Sequence, residues 1–256
     1  MRWLYRRFAK ARLSRSPDIN LALLERWLTG WSLSRGLRPP YHQGGGLVVD
    51  VGWADQLRRH VFVDADAQLQ ACAAAIDAAF VYIKAAVTPA QLRAALPARW
   101  MIETPRYVMR VDGPMAVAPV PAGYRATFHT EHGATVVRLV DDHGAIAASG
   151  GLVMVDATAI FDRSETAASH RRRGLGRAIM GALEQLARER GAGERLLIAT
   201  DAGRALYETL GWQVLAPYAT AVLAPVTAKL VEHRLQWQHG TVFPSSLPFN
   251  FTPETP

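Results

Sequence analysis

The sequence has a single cysteine and no long apolar run, and each scarcity excludes a class of protein. Cys72 alone cannot form an internal disulfide, which excludes a disulfide-stabilised secreted scaffold and favours a reducing compartment. Half of the 256 residues are hydrophobic, yet no stretch reaches eighteen consecutive apolar residues, so we expect no membrane span. The sequence therefore predicts a cytoplasmic protein with a substantial core.

Acidic residues are missing from the first 16 positions, which carry six of the 29 basic residues. The net charge of +7 therefore lies mostly in this segment, because 23 basic residues face all 22 acidic residues in the rest of the chain. We predict that residues 1–16 form a basic, disordered leader. Because the remaining body is nearly neutral, we expect no nucleic-acid partner.

The patterns of several cofactor and metal sites are also missing. His129 and His132 fall in a predicted turn rather than on a helix, so they do not form the paired-histidine arrangement of a zinc site. The glycines at 174 and 176 are not followed by the acidic residue that a dinucleotide-binding turn requires. We therefore predict neither a metal nor a nicotinamide cofactor.

The clearest pattern that is present starts at Ser169 and combines arginines, two glycines and an amphipathic helix that ends before Gly191. The apolar residues of this helix recur every three or four positions, at Leu175, Ile179, Leu183 and Leu186. Gly174 and Gly176 lack a Cβ, so the backbone there can approach a ligand closely. The free amides of the first helical turn favour a negative charge. This stretch therefore predicts an anion-binding site.

Hydrophobic periodicity and turn residues divide the rest of the chain into elements. In the first half they predict helices over 18–36, 67–79 and 88–96, and strands over 47–51, 60–63, 80–84 and 106–110. Asp18 is a candidate cap of the first helix, and Thr88 is the predicted cap of the third. In the second half they predict strands over 124–129, 135–140, 145–155, 157–166 and 195–200, and a short helix from 203. A proline-rich linker at 114–121 separates the halves. We predict a leader (1–16), an N-terminal α/β domain (17–113), a second domain (114–225) and an irregular tail (226–256).

Two landmarks resemble the GNAT superfamily of acyl-CoA-dependent N-acetyltransferases. The stretch Arg171-Arg-Arg-Gly-Leu-Gly176 resembles the family's Arg/Gln-x-x-Gly-x-Gly/Ala loop, which wraps the pyrophosphate of coenzyme A. The stretch Gly203-Arg-Ala-Leu-Tyr-Glu-Thr-Leu-Gly-Trp212 resembles the family's short helix that carries Leu-Tyr-Glu and ends in Leu-Gly-aromatic. The two occur in the family's order with a predicted strand between them.

The resemblance implies an α/β (α+β) fold with a mixed, mostly antiparallel sheet flanked by helices. The order of elements in the N-terminal half is similar to the later part of a GNAT fold, so this half is predicted to be a degenerate, cofactor-free GNAT-like half. An unrelated α/β cap is the alternative. The family has two helices after its first strand, and there is no room for them between Tyr124 and Thr135. Either the N-terminal half supplies that wall of the acceptor site, or the site is open.

The resemblance also implies site residues. The cofactor would be bound by the strand residues Ser164, Glu165 and Thr166 and by the loop residues Arg171, Arg172, Arg173, Gly174, Leu175, Gly176 and Arg177. Tyr207 matches the family's general acid, with a packed aromatic as the alternative. Asp162 is the first candidate for the base and Glu165 the second, and strand alternation predicts that they lie on opposite faces. A surface ion pair is the alternative role for Asp162.

The predicted function is an acetyl-CoA-dependent N-acetyltransferase that moves an acetyl group from the thioester directly to a primary amine. Acetyl-CoA is the co-substrate, no metal is needed, and the acceptor is a small-molecule or peptide amine. The alternative is an acyl-CoA-binding module without turnover. The sequence leaves a homodimer open.

Overall fold

The computed structural model describes residues 19–113, 115 and 118–225. The predicted leader (1–16) and the predicted tail (226–256) lie outside the described residues, so both stay predictions. The described residues up to Ala224 belong to one compact unit.

The described part of the chain contains five α-helices and one short 3-10 segment. The helices are α1 (Leu21–Leu33), α2 (Ala67–Ala75), α3 (Pro89–Ala95), α4 (Leu175–Glu189) and α5 (Asp201–Glu208), and the 3-10 segment is Ala168–His170. Asn20 caps α1 by accepting a hydrogen bond from the Leu23 amide at 2.9 Å, so the cap is not the predicted Asp18. The predicted cap of α3 is confirmed, because Thr88 and Gln91 form a reciprocal capping box.

Twelve strands among the described residues form one sheet. The strands of the first half are β1 (Tyr41–Gln43), β2 (Gly46–Trp53), β3 (Gln56–Phe62), β4 (Val81–Ala85), β5 (Trp100–Ile102) and β6 (Arg106–Val111). Those of the second half are β7 (Tyr124–Glu131), β8 (Ala134–Asp141), β9 (Ile146–Val155), β10 (Thr158–Thr166), β11 (Glu194–Ala199) and β12 (Gln213–Leu223). The prediction missed three strands, namely β1, β5 and β12.

The sheet is mixed and mostly antiparallel, which confirms the predicted fold class. The strand order is β1-β2-β3-β4-β12-β6-β11-β10-β9-β8-β7, with β5 paired to β12 outside this path. Among the described strands the parallel pairs are β3 with β4 and β10 with β11. In each parallel pair one helix connects the two strands, α2 in the first half and α4 in the second.

The two halves of the sheet are joined by two strands that each pair with the other half. β6, from the first half, lies between β11 and β12 and is antiparallel to both. The far end of β12, from the second half, pairs with β4 through the register from Ala219–Ala85 to Val222–Tyr82. The sheet therefore runs across the predicted boundary between residues 113 and 114. A division into domains at 17–113 and 114–225 stays a prediction.

The helices lie on both faces of this sheet. α1 packs with Val108, Ile160 and Leu196 on one face. α4 packs with Met109, Phe161 and Leu197, the next residues along the same strands, and therefore lies on the opposite face. α2 and α3 cover a third cluster around β4 and the far end of β12.

No helix separates β7 from β8, as the sequence predicts. His132 and Gly133 join the two strands in a tight turn, with φ angles of +48° and +81°. The helix that covers β9 and β10 on the α1 face comes from the first half of the chain. α1 therefore covers β9 and β10 on this face, and its role as a wall of the acceptor site stays a prediction.

Gly30 sets how closely α1 approaches β10. A Cβ built on Gly30 would lie 2.5 Å from Cγ1 and 2.8 Å from Cβ of Ile160. Alanine in a helix interior is normally about 1 kcal/mol more favourable than glycine. Because the site is overpacked, we expect Gly30→Ala instead to lower the free energy of unfolding by about 1–3 kcal/mol, measured by urea denaturation. In an Ile160→Ala background this penalty should shrink. A stabilised single variant would contradict the packing described.

Burial of His60 makes stability depend on pH. Desolvation is the main cause that lowers the pKa of His60 to about 4 from 6.5, with Arg58 adding to the shift. The unfolded chain therefore binds more protons between these values, so the contribution is complete above about pH 6.5 and is lost as the pH falls towards 4. At pH 5 we expect about 2 kcal/mol less stability from this group than at pH 7.

The measurement compares melting temperatures across this pH range for the wild type and His60→Gln. The variant should show a flatter dependence, because it has no imidazole to protonate. His42→Gln, at an exposed position on β1, is the matched control and should keep the wild-type slope. Equal slopes in the wild type and His60→Gln would contradict the assignment.

Candidate active site

The site is built where β10 and β11 separate. The two strands pair in parallel through three residues, ending at Ile160 with Leu196. Beyond this point β10 continues to Thr166 and β11 to Ala199 without pairing to each other. Their backbone amides and carbonyls on the facing edges are therefore open to a ligand, which could bind between them as an extended chain would.

A β-bulge in β10 lies next to this opening. Asp162 pairs with Gly151 but Glu165 pairs with Ser149, so β10 has one extra residue between them. Arg163, within the bulge, has a φ of +53°. Because Gly151 and Ser149 are two residues apart on one face of β9, Asp162 and Glu165 lie on the same face. The predicted placement on opposite faces is wrong, because the extra residue shifts the alternation.

The separated strands border a cleft of about 1000 Å³. Its lining comes from both strands, from the loop before α4 and from α5. Arg35, just after α1, and Arg106, at the start of β6, complete the lining. Both arginines come from the first half of the chain, so the two halves together form this site.

One end of the cleft is the N-terminus of α4. Gly174, the residue before the helix, has a φ of +80°, a conformation that favours glycine, and no side chain caps the helix. The first helical amides, at Leu175, Gly176 and Arg177, have no acceptor within the helix. With the helix dipole behind them, these amides form a site suited to a phosphate group.

The predicted loop arginines surround this helix end but point in different directions. Arg171, Arg172 and Arg177 line the cleft, and Arg177 donates a hydrogen bond to Thr209 Oγ1 at 2.9 Å. Arg173 instead donates to the Tyr124 hydroxyl at 3.1 Å and is not among the cleft-lining residues. The arrangement concentrates positive charge at the helix N-terminus.

Tyr207 lies on the α4 side of the cleft. Its side chain is buried, lines the cleft and packs near Trp212, with ring centroids 6.2 Å apart. Burial raises the pKa of Tyr207, and a hydrogen bond with Ser164 partly opposes this effect. The phenol is therefore protonated at neutral pH and can donate a proton or a hydrogen bond into the cleft. Ser164 and Thr166, both predicted site residues, also line the cleft.

The two predicted carboxylates lie on the α1 side of the cleft. Asp162 forms an ion pair with Arg35 and is 3.1 Å from the Ser34 hydroxyl. Burial is the largest cause that lowers the pKa of Arg35, and the attraction of Asp162 opposes it. Glu165 is exposed and forms no ion pair among the described residues. Asp162 is therefore ion-paired, but its partner is Arg35 and the pair is largely buried, so it is not the surface pair that the sequence left open.

Arg35 and Arg106 are the cleft residues from the first half of the chain, and the sequence did not predict either as a site residue. Arg35 precedes Asp162 by 127 positions. No local motif links the two residues, because the contact depends on how α1 crosses the sheet. The only available signal was the missing pair of helices after β7, which indicated that another part of the chain covers β10.

Two other features bear on the predicted partners. Within residues 19–113, 115 and 118–225, no group of three or more histidine, cysteine or acidic side chains could hold a metal ion. In the same part of the chain, no helix is both long and apolar enough to cross a membrane.

Comparisons with known proteins agree with this fold. Residues 99–212 match the model of the acetyltransferase (GNAT) family. A GCN5-related N-acetyltransferase from Kribbella flavida has a similar structure, with a TM-score of 0.55 and 19% identity over 81% of this chain and 97% of that one. An acetyltransferase of the GNAT family from Novosphingobium aromaticivorans gives a TM-score of 0.53 and 17% identity over 79% and 97%.

A GCN5-related N-acetyltransferase-like protein from Streptococcus suis is also similar, with a TM-score of 0.52 and 11% identity over 79% of this chain and 97% of that one. At these identities the structural matches show the fold. No curated protein sequence matches the chain. The family match includes β10, the arginine loop, α4 and α5, and thus the elements that form most of the cleft. Residues 99–212, just under half of the chain, are therefore similar to the acetyltransferase (GNAT) family.

Proposed function

We propose that this protein is an acetyl-CoA-dependent N-acetyltransferase that transfers the acetyl group directly to a primary amine. The observation that carries the proposal is the opening between β10 and β11, which leads from an uncapped helix N-terminus to a buried, protonated tyrosine. The parallel pair of the first half has no such opening, since β3 and β4 stay paired through five residues. The second half is therefore where an extended acyl carrier fits.

The described residues suit the two chemical parts of coenzyme A. The amides at the start of α4, with Arg171, Arg172 and Arg177, would bind the pyrophosphate. The free backbone edge of Ser164, Glu165 and Thr166 would hydrogen-bond the amides of the pantetheine arm. Arg173 would support the loop through Tyr124.

Direct transfer requires one group that gives a proton and one that takes a proton. As the amine nitrogen bonds to the thioester carbon, the carbon–sulfur bond breaks and the sulfur accepts the proton of Tyr207. The proton of the attacking nitrogen goes to a carboxylate on the acceptor side, either directly or through water. Because Asp162 is held by Arg35, we assign this role to Glu165, and Asp162 instead positions Arg35.

The structure does not change the predictions about the acceptor, the cellular location and the oligomeric state. A small-molecule or peptide amine as acceptor, a cytoplasmic location and a homodimer stay predictions. The alternative function, an acyl-CoA-binding module without turnover, uses the same cleft. It differs only in releasing no coenzyme A when amines are added.

The first prediction tests the anion site at Gly174. Gly174→Asp would place a carboxylate beside the bound pyrophosphate, where like charges repel by several kcal/mol at an effective dielectric constant of about 20. We expect calorimetry to show acetyl-CoA affinity at least about tenfold weaker than in Gly174→Asn, which has the same shape and tolerates the left-handed backbone. Gly191→Asp, at a positive φ after the other end of α4, should bind normally. Equal affinities for the Asp and Asn variants would contradict the assignment.

The second prediction separates the enzyme from the binding module. Tyr207→Phe keeps the ring and its packing but removes the proton. We expect turnover, followed as coenzyme A release, to fall about 100- to 10,000-fold, the usual contribution of positioned proton transfer. Acetyl-CoA affinity should stay nearly constant, because the loop and β10 make the cofactor contacts.

Tyr41→Phe, at an exposed position on β1, is the matched control and should keep full activity. If the wild type and Tyr207→Phe release coenzyme A equally slowly with every amine tested, the binding-module function is correct. If both are equally active, the enzyme stands and Tyr207 is not its acid.

A further inference from the structure

Four basic side chains converge on the acceptor side of the cleft from four different elements. Arg35 and Arg106 line the cleft. Arg59 on β3 and Lys84 on β4 lie behind them and are only 6% and 7% exposed. We call these four residues the cationic cluster. The loop arginines that precede α4 are separate from it, because they stand at the helix N-terminus.

The charges of the cationic cluster are only partly balanced by acidic neighbours. Asp162 is already paired with Arg35, and Arg106 forms no ion pair among the described residues. Burial is the main cause that lowers the pKa of Arg59 to about 10, and repulsion by Arg35 and Arg106 adds to it. Burial also lowers the pKa of Lys84, again with repulsion from Arg59 and Arg106 and with attraction from Glu103. These groups repel one another, and an anion bound between them would offset this repulsion.

Buried polar atoms beside the cationic cluster lack partners. Arg59 Nε and the Tyr218 hydroxyl are buried and have no hydrogen-bond partner among the described residues. Tyr218 is 1% exposed and interacts electrostatically with both Arg59 and Arg106. Because buried polar groups are nearly always hydrogen-bonded, donors without partners indicate a bound group or water that completes the site.

An aromatic ring holds two of the cations in place. The Cζ atoms of Arg59 and Arg35 lie 3.4 Å and 4.3 Å from the centroid of the Trp31 ring. Stacking on a ring fixes the plane of a guanidinium group while its N–H edge stays free for a carboxylate or phosphate. The ring thus preorganises two members of the cluster for an anion.

We propose that the amine acceptor carries an anionic group, a carboxylate or a phosphate, and that Arg106 and Arg35 bind this group with Arg59 behind them. The proposal rests on the proposed acetyltransferase function and names the substrate class of the same site. The amine would then reach the thioester from the α1 side of the sheet, where Glu165 also lies.

The test uses matched amines with the full-length protein and saturating acetyl-CoA. The panel contains the common amino acids, their primary amides, O-phosphoethanolamine and ethanolamine, and coenzyme A release is measured for each. We expect kcat/KM for the anionic member of the best pair to exceed that of its neutral partner by about 10- to 100-fold, the usual range for hydrogen bonds to a charged group. The comparison of amino acids with their amides tests for recognition of a carboxylate. The comparison of O-phosphoethanolamine with ethanolamine tests for recognition of a phosphate.

Arg106→Gln should remove most of this preference by raising KM for the anionic amine, with little effect on the neutral one. Acetyl-CoA affinity, measured by calorimetry, should stay within about twofold of the wild type. The proposed cofactor contacts lie at α4 and β10, not at Arg106. Arg125→Gln, at an exposed position on β7 outside the cleft, should keep the preference. Equal rates for acids and amides in the wild type, or an unchanged preference in Arg106→Gln, would overturn the proposal. So would a large loss of acetyl-CoA affinity.

A second measurement distinguishes failure of the anion subsite from failure of the proposed acetyltransferase function. If no amine releases coenzyme A, the acetyltransferase function fails, and anion binding is then tested alone. The protein is saturated with desulfo-coenzyme A, which fills the site at α4, and its melting temperature is followed with inorganic phosphate or acetate at constant ionic strength. Anions should raise the melting temperature of the wild type more than that of Arg106→Gln. Equal increases would overturn the subsite.

Discussion

The separation of β10 from β11 is the constraint on which the rest of the site depends. A parallel pair that stayed closed would use its backbone groups in the ladder, as β3 and β4 do through five pairs. Here pairing stops at Ile160 and Leu196, and the bulge at Arg163 turns β10 away. The facing edges then need another partner, and α4 begins beside them with amides that also need one. One local defect thus creates a site for a long, anionic ligand.

Strand pairing between the two halves positions the second wall of this cleft. Because β6 pairs with β11 and β12 pairs with β4, the first half cannot move away without breaking ladder hydrogen bonds. α1 is therefore fixed over β10, where Gly30 allows close contact with Ile160. The end of α1 then places Arg35 against Asp162. A helix distant in sequence thus covers β9 and β10 of the second half.

The sequence predicted the elements whose signals are local. The helix after Gly174 and the cap at Thr88 follow from spacing and from side-chain chemistry within a few residues. β12 was missed, although it is the longest strand, because Pro217 interrupts its apolar run and proline is unusual inside a sheet. Arg35 and Arg106 were missed as cleft residues for another reason. Their place depends on strand pairing between the halves, which no local pattern records.

The bulge explains why the predicted faces of Asp162 and Glu165 were wrong. It also determines which side of the cleft each side chain of this segment faces. Simple alternation predicts opposite faces for Asp162 and Glu165, and one extra residue reverses that result. As a consequence both carboxylates face α1, while Ser164 faces α4 and bonds to Tyr207. The proposed proton donor, Tyr207, and the proposed proton acceptor, Glu165, thus lie on opposite sides of the sheet. In the proposed reaction, a thioester held between the strands would therefore meet its amine from one side and its acid from the other.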